Sequence, residues 1–160
     1  MDGVGHGGVV RASSARLTPG VAMTGTEIVQ RSADAWNNRD RDAYLACYAE
    51  DCEFTTPHST GKGPAAVIAF WEMQMTAFPD NRVRVAALFD SGDLVAEEAS
   101  FEGTQTGPGV NPDGTGFPPS GRSVTTMFAA LHTVEGNVIT RTAFYWDDMT
   151  FAAQLGLLPG

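Results

Sequence analysis

The stretch FYWDDMTFAAQLGLLPG, Phe144–Gly160, runs three aromatic residues into two adjacent aspartates. Asp147 and Asp148 are either a pair of acid–base carboxylates or the start of a closing helix. A cap carboxylate accepts bonds from free helix N–H groups and suits the positive end of the helix dipole. Gly156 supplies a matching C-terminal stop, so the residue types favour the cap. Further carboxylates, Glu97, Glu98 and Glu102, fall in LVAEEASFEGTQTG, and Glu53 falls in CEFTTP. A carboxyl group held among apolar side chains has a raised pKa and can act as a general acid. Histidine is suited to shuttling a proton near neutral pH; His132 sits in RSVTTMFAALHTV, and His58 follows Pro57. No Ser/His/Asp or Cys/His arrangement stands out. GVGHGG does not follow a strand and is no nucleotide fingerprint. The chemistry within reach is proton transfer by carboxylates and histidines.

Composition narrows the setting. The chain has 160 residues, 42% of them hydrophobic, with nine Phe, three Trp and three Tyr. That is enough for one globular domain with a real core. The net charge of −9, with no basic patch, argues against nucleic acid or an anionic membrane as a partner. Cys47 and Cys52 stand alone, which suits two free thiols in a reducing, cytoplasmic compartment. Too few soft ligands exist for a structural zinc site, and no metal is expected. No stretch approaches the roughly 18–20 apolar residues of a membrane span. Residues 1–25, MDGVGHGGVVRASSARLTPGVAMTG, lack a compact apolar segment and read as a flexible extension, with Met23 as an alternative functional start. Residues 26–160 carry the domain.

Hydrophobic periodicity supplies the elements. Thr26 to Asn37 predicts a helix capped by Thr26, and Asp40 caps a second through Tyr44 and Tyr48 to about Glu50-Asp51. CEFTTP is a short strand, HSTGKG a loop, and Pro64 opens a third helix to about Ala77. RVRVAALF and LVAEEASFEGTQTG are strands joined by DSGD. The Gly/Pro-dense PGVNPDGTGFPPSG is a long loop, a candidate lid. RSVTTMFAALHTV and NVITRTAFYW form a hairpin through EGN, and the tail helix follows. The order predicts an α+β fold, a curved antiparallel sheet packed on three N-terminal helices plus a short C-terminal helix. Period two puts Thr140, Thr142, Phe144 and Trp146 on one face of the last strand. On the long strand, Val95, Glu97, Ala99, Phe101, Gly103 and Gln105 share one face. Ala96, Glu98, Ser100, Glu102 and Thr104 share the other. Apolarity favours the first as the buried one.

The layout, GPAAVIAFWEMQMTAFPD in the third helix, GTQTG after the long strand, PPSGR before the next and D…QLGLLP at the end together resemble the SnoaL-like polyketide cyclases. That family belongs to the nuclear transport factor 2-like superfamily. The resemblance covers Thr26 to Pro159. It implies a cone-shaped sheet enclosing an apolar pocket, a homodimer through the outer sheet face, and acid–base chemistry without cofactor or metal.

Residue by residue, the resemblance redirects several assignments. Relatives carry a pocket-facing acid three residues before a strand-ending Asp. With Asp147 ending the strand, that position is Phe144. Epoxide-hydrolase relatives place an Arg and an Asp where Glu98 and Ser100 stand, which points to the second face of the long strand as the pocket wall. The two readings of that strand conflict unless a bulge near Gly103 reconciles them. The water-positioning Tyr and Asn of the same relatives fall on Glu53 and Thr55. Gln105 replaces the His of a family GTHTG and can orient a substrate but cannot titrate. The resulting catalytic candidates are Glu98, His132 and Glu53. Trp36, His58, Trp71, Gln105, Phe117, Phe128, Phe144 and Trp146 are candidates for binding a small apolar substrate. The expected function is cyclisation of a polyketide-type intermediate in secondary metabolism. The alternatives are a noncatalytic binding protein on the same fold, or an isomerase or epoxide-opening enzyme with relocated acids.

Overall fold

A computed structural model of the chain describes residues 22–111 and 113–158. The first helix, α1 (Gly25–Asn37), begins with a capping box at Thr24 rather than Thr26. Thr24 Oγ1 accepts the Glu27 N–H at 3.2 Å, and the Glu27 carboxylate accepts the Thr24 N–H at 2.7 Å. Only Thr24 has a glutamate three residues on, which is the spacing the box needs. The Met23 N–H reaches Asn137 Oδ1 at 3.1 Å, so the folded unit starts before the expected boundary at residue 26. The expected flexibility of the N-terminal extension falls mostly on residues 1–21, which lie outside the described ones.

Asp40 caps α2 (Arg41–Leu45) by accepting the Ala43 N–H at 2.9 Å. This helix stops well short of the predicted Glu50-Asp51. From Tyr48 the chain is already β1 (Tyr48–Thr55), because it pairs in parallel with the last strand, β8 (Val138–Trp146), at Tyr48↔Ile139. The predicted loop HSTGKG contains β2 (Thr60–Lys62), antiparallel to β1. Pro64 sits in the first turn of α3 (Gly63–Ala77), as its fixed φ and missing N–H favour.

β3 (Arg82–Ser91), β4 (Leu94–Thr104) and β7 (Ser123–Glu135) complete a six-stranded sheet of order β2-β1-β8-β7-β4-β3. Every neighbour but the β1–β8 pair is antiparallel. Gly136 and Asn137 join β7 to β8 with φ of 59° and 67°, the two left-handed residues of a twisted two-residue hairpin. The expected structureless loop holds a small hairpin, β5 (Gly109–Val110) with β6 (Gly116–Phe117). The helix α4 (Asp148–Leu155) closes the chain from an Asp147 N-cap to Gly156, as the residue types predict.

The helices cover one face of the curved sheet, and α1 packs across β3, β4 and β7. β4 and β7 pair without interruption from Leu94↔Thr133 to Thr104↔Ser123, so no bulge occurs at Gly103. The apolar reading of β4 therefore holds. Val95, Glu97, Ala99 and Phe101 are buried beneath the helices, while Glu98 is exposed on the outer face.

Candidate active site

The space between the inner sheet face and the helices is a cavity of about 380 Å³. Its walls are mostly apolar and rich in aromatic rings. Trp36 comes from α1, Phe70 from α3, Phe128 from β7, Phe144 and Trp146 from β8, and Phe117 from β6. Phe70 and Phe144 stack at 5.7 Å between ring centroids, and Phe54 and Phe128 close on Phe144 at 5.6 and 5.9 Å. Titratable groups meet this surface at two places.

The first lies in the buried wall. His132 and Thr142 are directly opposed on β7 and β8, and Glu97 on β4 sits one step diagonally from His132. All three point inward. His132 Nε2 lies 3.0 Å from Glu97 Oε2, and Nδ1 lies 2.8 Å from Thr142 Oγ1. A neutral ring protonated on Nε2 satisfies both contacts: Nε2–H donates to the carboxylate, and the threonine hydroxyl donates to Nδ1. Among the described residues, Glu97 Oε1 takes no protein hydrogen bond. Among the described residues, Trp71 Nε1 is the one buried side-chain polar atom without a partner, so Oε1 is open to the cavity that Glu97 lines. Beside this group, the Tyr48 hydroxyl donates to the Tyr44 hydroxyl at 3.1 Å. Burial pushes both phenol pKa values up, so both rings stay protonated donors, and the Tyr44 proton is left for a ligand.

The second polar group stands at the edge of the cavity. His58, in the β1–β2 loop, places Nε2 2.9 Å from Asp148 Oδ1. Trp146 Nε1 donates to the same oxygen at 2.6 Å, and the His58 ring meets Trp146 edge-on at 5.8 Å. Asp147, by contrast, turns its carboxylate to the helix, accepting the Met149 and Thr150 N–H groups at 3.0 and 3.1 Å. The Thr150 hydroxyl, followed by the backbone bonds, holds this carboxyl below the usual aspartate range. The two adjacent aspartates thus divide the two readings, one capping and one facing the cavity.

The structure brings Trp36, His58, Phe117, Phe128, His132, Phe144 and Trp146 to the cavity. Glu98 points away on the outer sheet face. Glu53 is likewise exposed, 3.9 Å from Lys62, because Phe54 takes the inward position on β1. Trp71 packs against the core outside the cavity. Gln105 is fully buried, but its side chain is spent on the backbone of the β4–β7 connection. It donates to Gly107 O and Pro118 O and accepts the Ser120 N–H, so it pins the loop rather than a substrate. Glu97 and Asp148 are among the carboxylates raised from the sequence but not among its final catalytic candidates, and Tyr44, Tyr48 and Thr142 are not singled out there. The structure places all five at the cavity or against its histidines. For Glu97 the signal was present in its apolar neighbours Val95, Ala99 and Phe101. Among the described residues, no group of three or more His, Cys, Asp or Glu side chains is arranged to hold a metal, and no helix is long and apolar enough to cross a membrane.

A curved, mostly antiparallel sheet folded over helices around an apolar cavity defines the nuclear transport factor 2-like, or ketosteroid isomerase-like, fold class. Residues 29–142 match the SnoaL-like domain, and the chain belongs to that family. Solved structures share the fold. A proposed SnoaL-like polyketide cyclase from Jannaschia sp. CCS1 is 24% identical with a TM-score of 0.74, over 84% of this chain and 93% of that one. IdmH, a proposed polyketide cyclase from Streptomyces antibioticus, is 22% identical with a TM-score of 0.70, over 84% and 99%. A Catenulispora acidiphila protein with a ketosteroid isomerase-like fold, solved with trimethylamine, is 23% identical with a TM-score of 0.68, over 84% and 96%. No curated protein matches the sequence.

Proposed function

We propose that this protein is a small acid–base enzyme that binds an apolar polyketide-type intermediate in its cavity and closes a ring in it. The observation that carries the reading is the Glu97–His132 pair: an ionisable group with one open oxygen, set in an aromatic wall and backed by a buried histidine. Such a group exchanges a proton with a substrate carbonyl or enol, and Thr142 and His132 hold it in place. The protonated Tyr44 hydroxyl supplies a hydrogen bond to a developing enolate oxygen. The aromatic walls fold a flexible chain into a reactive conformer, a proximity effect worth up to several kcal/mol. The names of the cyclase neighbours agree with this substrate class. Phe89, Met127 and Tyr145, exposed on the outer sheet face, are the surface for the proposed homodimer. The free, buried Cys47 and Cys52 suit a cytoplasmic setting.

A second reading, a noncatalytic binding protein, draws on Phe144. This residue is packed among Phe54, Phe70 and Phe128, where the resemblance places an acid in relatives. Mass spectrometry of small molecules that copurify with the full chain identifies the ligand. With that ligand, Glu97→Gln keeps binding and lowers turnover by about 100-fold, the scale of general acid–base catalysis. Unchanged turnover, or no turnover by either form, favours the binding protein.

A further inference from the structure

The two histidines of the cavity differ in what their ring nitrogens have left to give. His132 has both nitrogens engaged, by Glu97 and Thr142. His58 has one: Nε2 faces Asp148 Oδ1 at 2.9 Å, and Nδ1 takes no protein hydrogen bond among the described residues. A carboxylate only accepts, so Asp148 places the ring proton on Nε2 and leaves the lone pair on Nδ1. Asp148 is itself held, because Trp146 Nε1 donates to the same oxygen at 2.6 Å. The contact joins two segments distant in the chain: the β1–β2 loop, and the short stretch where the end of β8 runs into the first residue of α4. His58, Trp146 and Asp148 all line the cavity. A carboxylate fixing one nitrogen while the other is free is the arrangement of a positioned general base.

We infer that His58, oriented by Asp148, is a second acid–base centre at the edge of the cavity, working across the aromatic wall from Glu97 on a substrate with an enolisable carbonyl. The inference rests on the acid–base reading of the cavity and adds the partner that reading lacks. An unbroken run of ring contacts, His58–Trp146–Phe70–Phe144–His132, connects the two centres at centroid spacings of 5.8, 6.4, 5.7 and 6.0 Å. A substrate laid along this run meets a polar group at each end. In a ring closure, His58 Nδ1 takes a proton from the carbon next to one carbonyl. The electron pair freed there forms the new carbon–carbon bond to a second carbonyl carbon. The π pair of that carbonyl moves to its oxygen, which takes the proton of a Glu97 carboxyl protonated on its open Oε1, while the His132 Nε2–H still donates to Oε2. Solvent then carries a proton from His58 back to Glu97 Oε1, and the substrate is rearranged with no atom gained or lost.

The probe is 2-tetralone, an apolar bicyclic ketone with acidic α-hydrogens, in deuterated buffer with the full-length protein. Proton NMR follows exchange at the α-carbon, and quenching of Trp36 and Trp146 fluorescence follows binding. The wild type accelerates exchange above buffer. His58→Gln lowers it at least tenfold with 2-tetralone still bound. Asp148→Asn, the positioning residue, lowers the rate with the Kd unchanged. Nitrogen-15 NMR of the histidine rings shows His58 protonated on Nε2 in the wild type and a mixture of tautomers in Asp148→Asn. Exchange lost in Glu97→Gln but kept in His58→Gln overturns this inference and leaves the Glu97 reading standing. Exchange lost in His58→Gln but kept in Glu97→Gln supports His58 and removes Glu97. No acceleration by the wild type overturns both. A His58 ring whose proton sits on Nδ1 overturns the inference whatever the probe does.

Discussion

Two histidine–carboxylate pairs of nearly equal length face one cavity, His132–Glu97 at 3.0 Å and His58–Asp148 at 2.9 Å. Distance does not separate them; surroundings do. The side chains of the first pair are 2% and 6% exposed and project from the middle of two adjacent strands, β4 and β7. Those of the second are 32% and 43% exposed and come from a loop and the start of a short helix. The buried pair is locked on both ring nitrogens and leaves a carboxylate oxygen open. The edge pair is locked on one and leaves a nitrogen open. Burial decides what it costs to break a pair, and the unspent lone pair decides what chemistry it can do.

The largest expected effect separates the two pairs by stability. His132→Ala leaves Glu97 Oε2 buried without its partner, and breaking a buried pair from one side costs about 3–5 kcal/mol. His58→Ala breaks a pair that water already reaches, and the loss stays within about 1 kcal/mol. Chemical denaturation of both variants measures the contrast. Equal losses would show that the buried pair is solvated after all and would erase the distinction.

A smaller effect concerns the edge alone. α4 carries Asp148, and its start depends on the Asp147 cap. Because the Thr150 hydroxyl and the backbone N–H groups favour the charged carboxylate, the folded form of Asp147 binds a proton less readily than the unfolded form. Its contribution is therefore present above the ordinary carboxylate range and is lost as the pH falls through the lowered value. Asn is also a good N-cap but does not titrate. Asp147→Asn should match the wild type near neutral pH apart from a small offset and show a flatter fall of Tm into acid. An acid limb as steep as that of the wild type would mean that other carboxylates, such as Asp80 with its Thr104 N–H bond, dominate it.

The fold was legible where local chemistry sets it. Pro64, the Gly136-Asn137 turn, the Asp147 cap and the Gly156 stop each act within a few residues of themselves. It was not legible at Tyr48, where a helix-like local pattern yields to parallel pairing with a strand far along the chain. The site divides the same way. Alternation along β7 and β8 locates His132, Phe128, Phe144 and Trp146 on one face. The partners that give the histidines their roles, Glu97 and Asp148, come from other segments and are joined to them only by folding. Gln105 shows the converse: a buried polar residue beside a pocket, spent entirely on its own loop.

The smallest expected effect tests the sheet face on which the comparison stands. Glu97 and Glu98 are neighbours with the same side chain, and the pleat sends them to opposite sides of β4. Glu98 pairs across the sheet with Ala87 and Ala129 in exposed rows, away from both histidine pairs. Glu98→Gln removes a charge from solvent and should change stability by no more than about 0.5 kcal/mol. Exchange into 2-tetralone should stay within about twofold of the wild type, against the loss of at least tenfold from His58→Gln, because an outward carboxylate touches neither substrate nor its proton carriers. A loss of about tenfold from Glu98→Gln, with folding intact, would put Glu98 in the cavity. One residue of slip along β4 exchanges its two faces, so that result would bury Glu98 in place of Glu97 and leave His132 without its carboxylate.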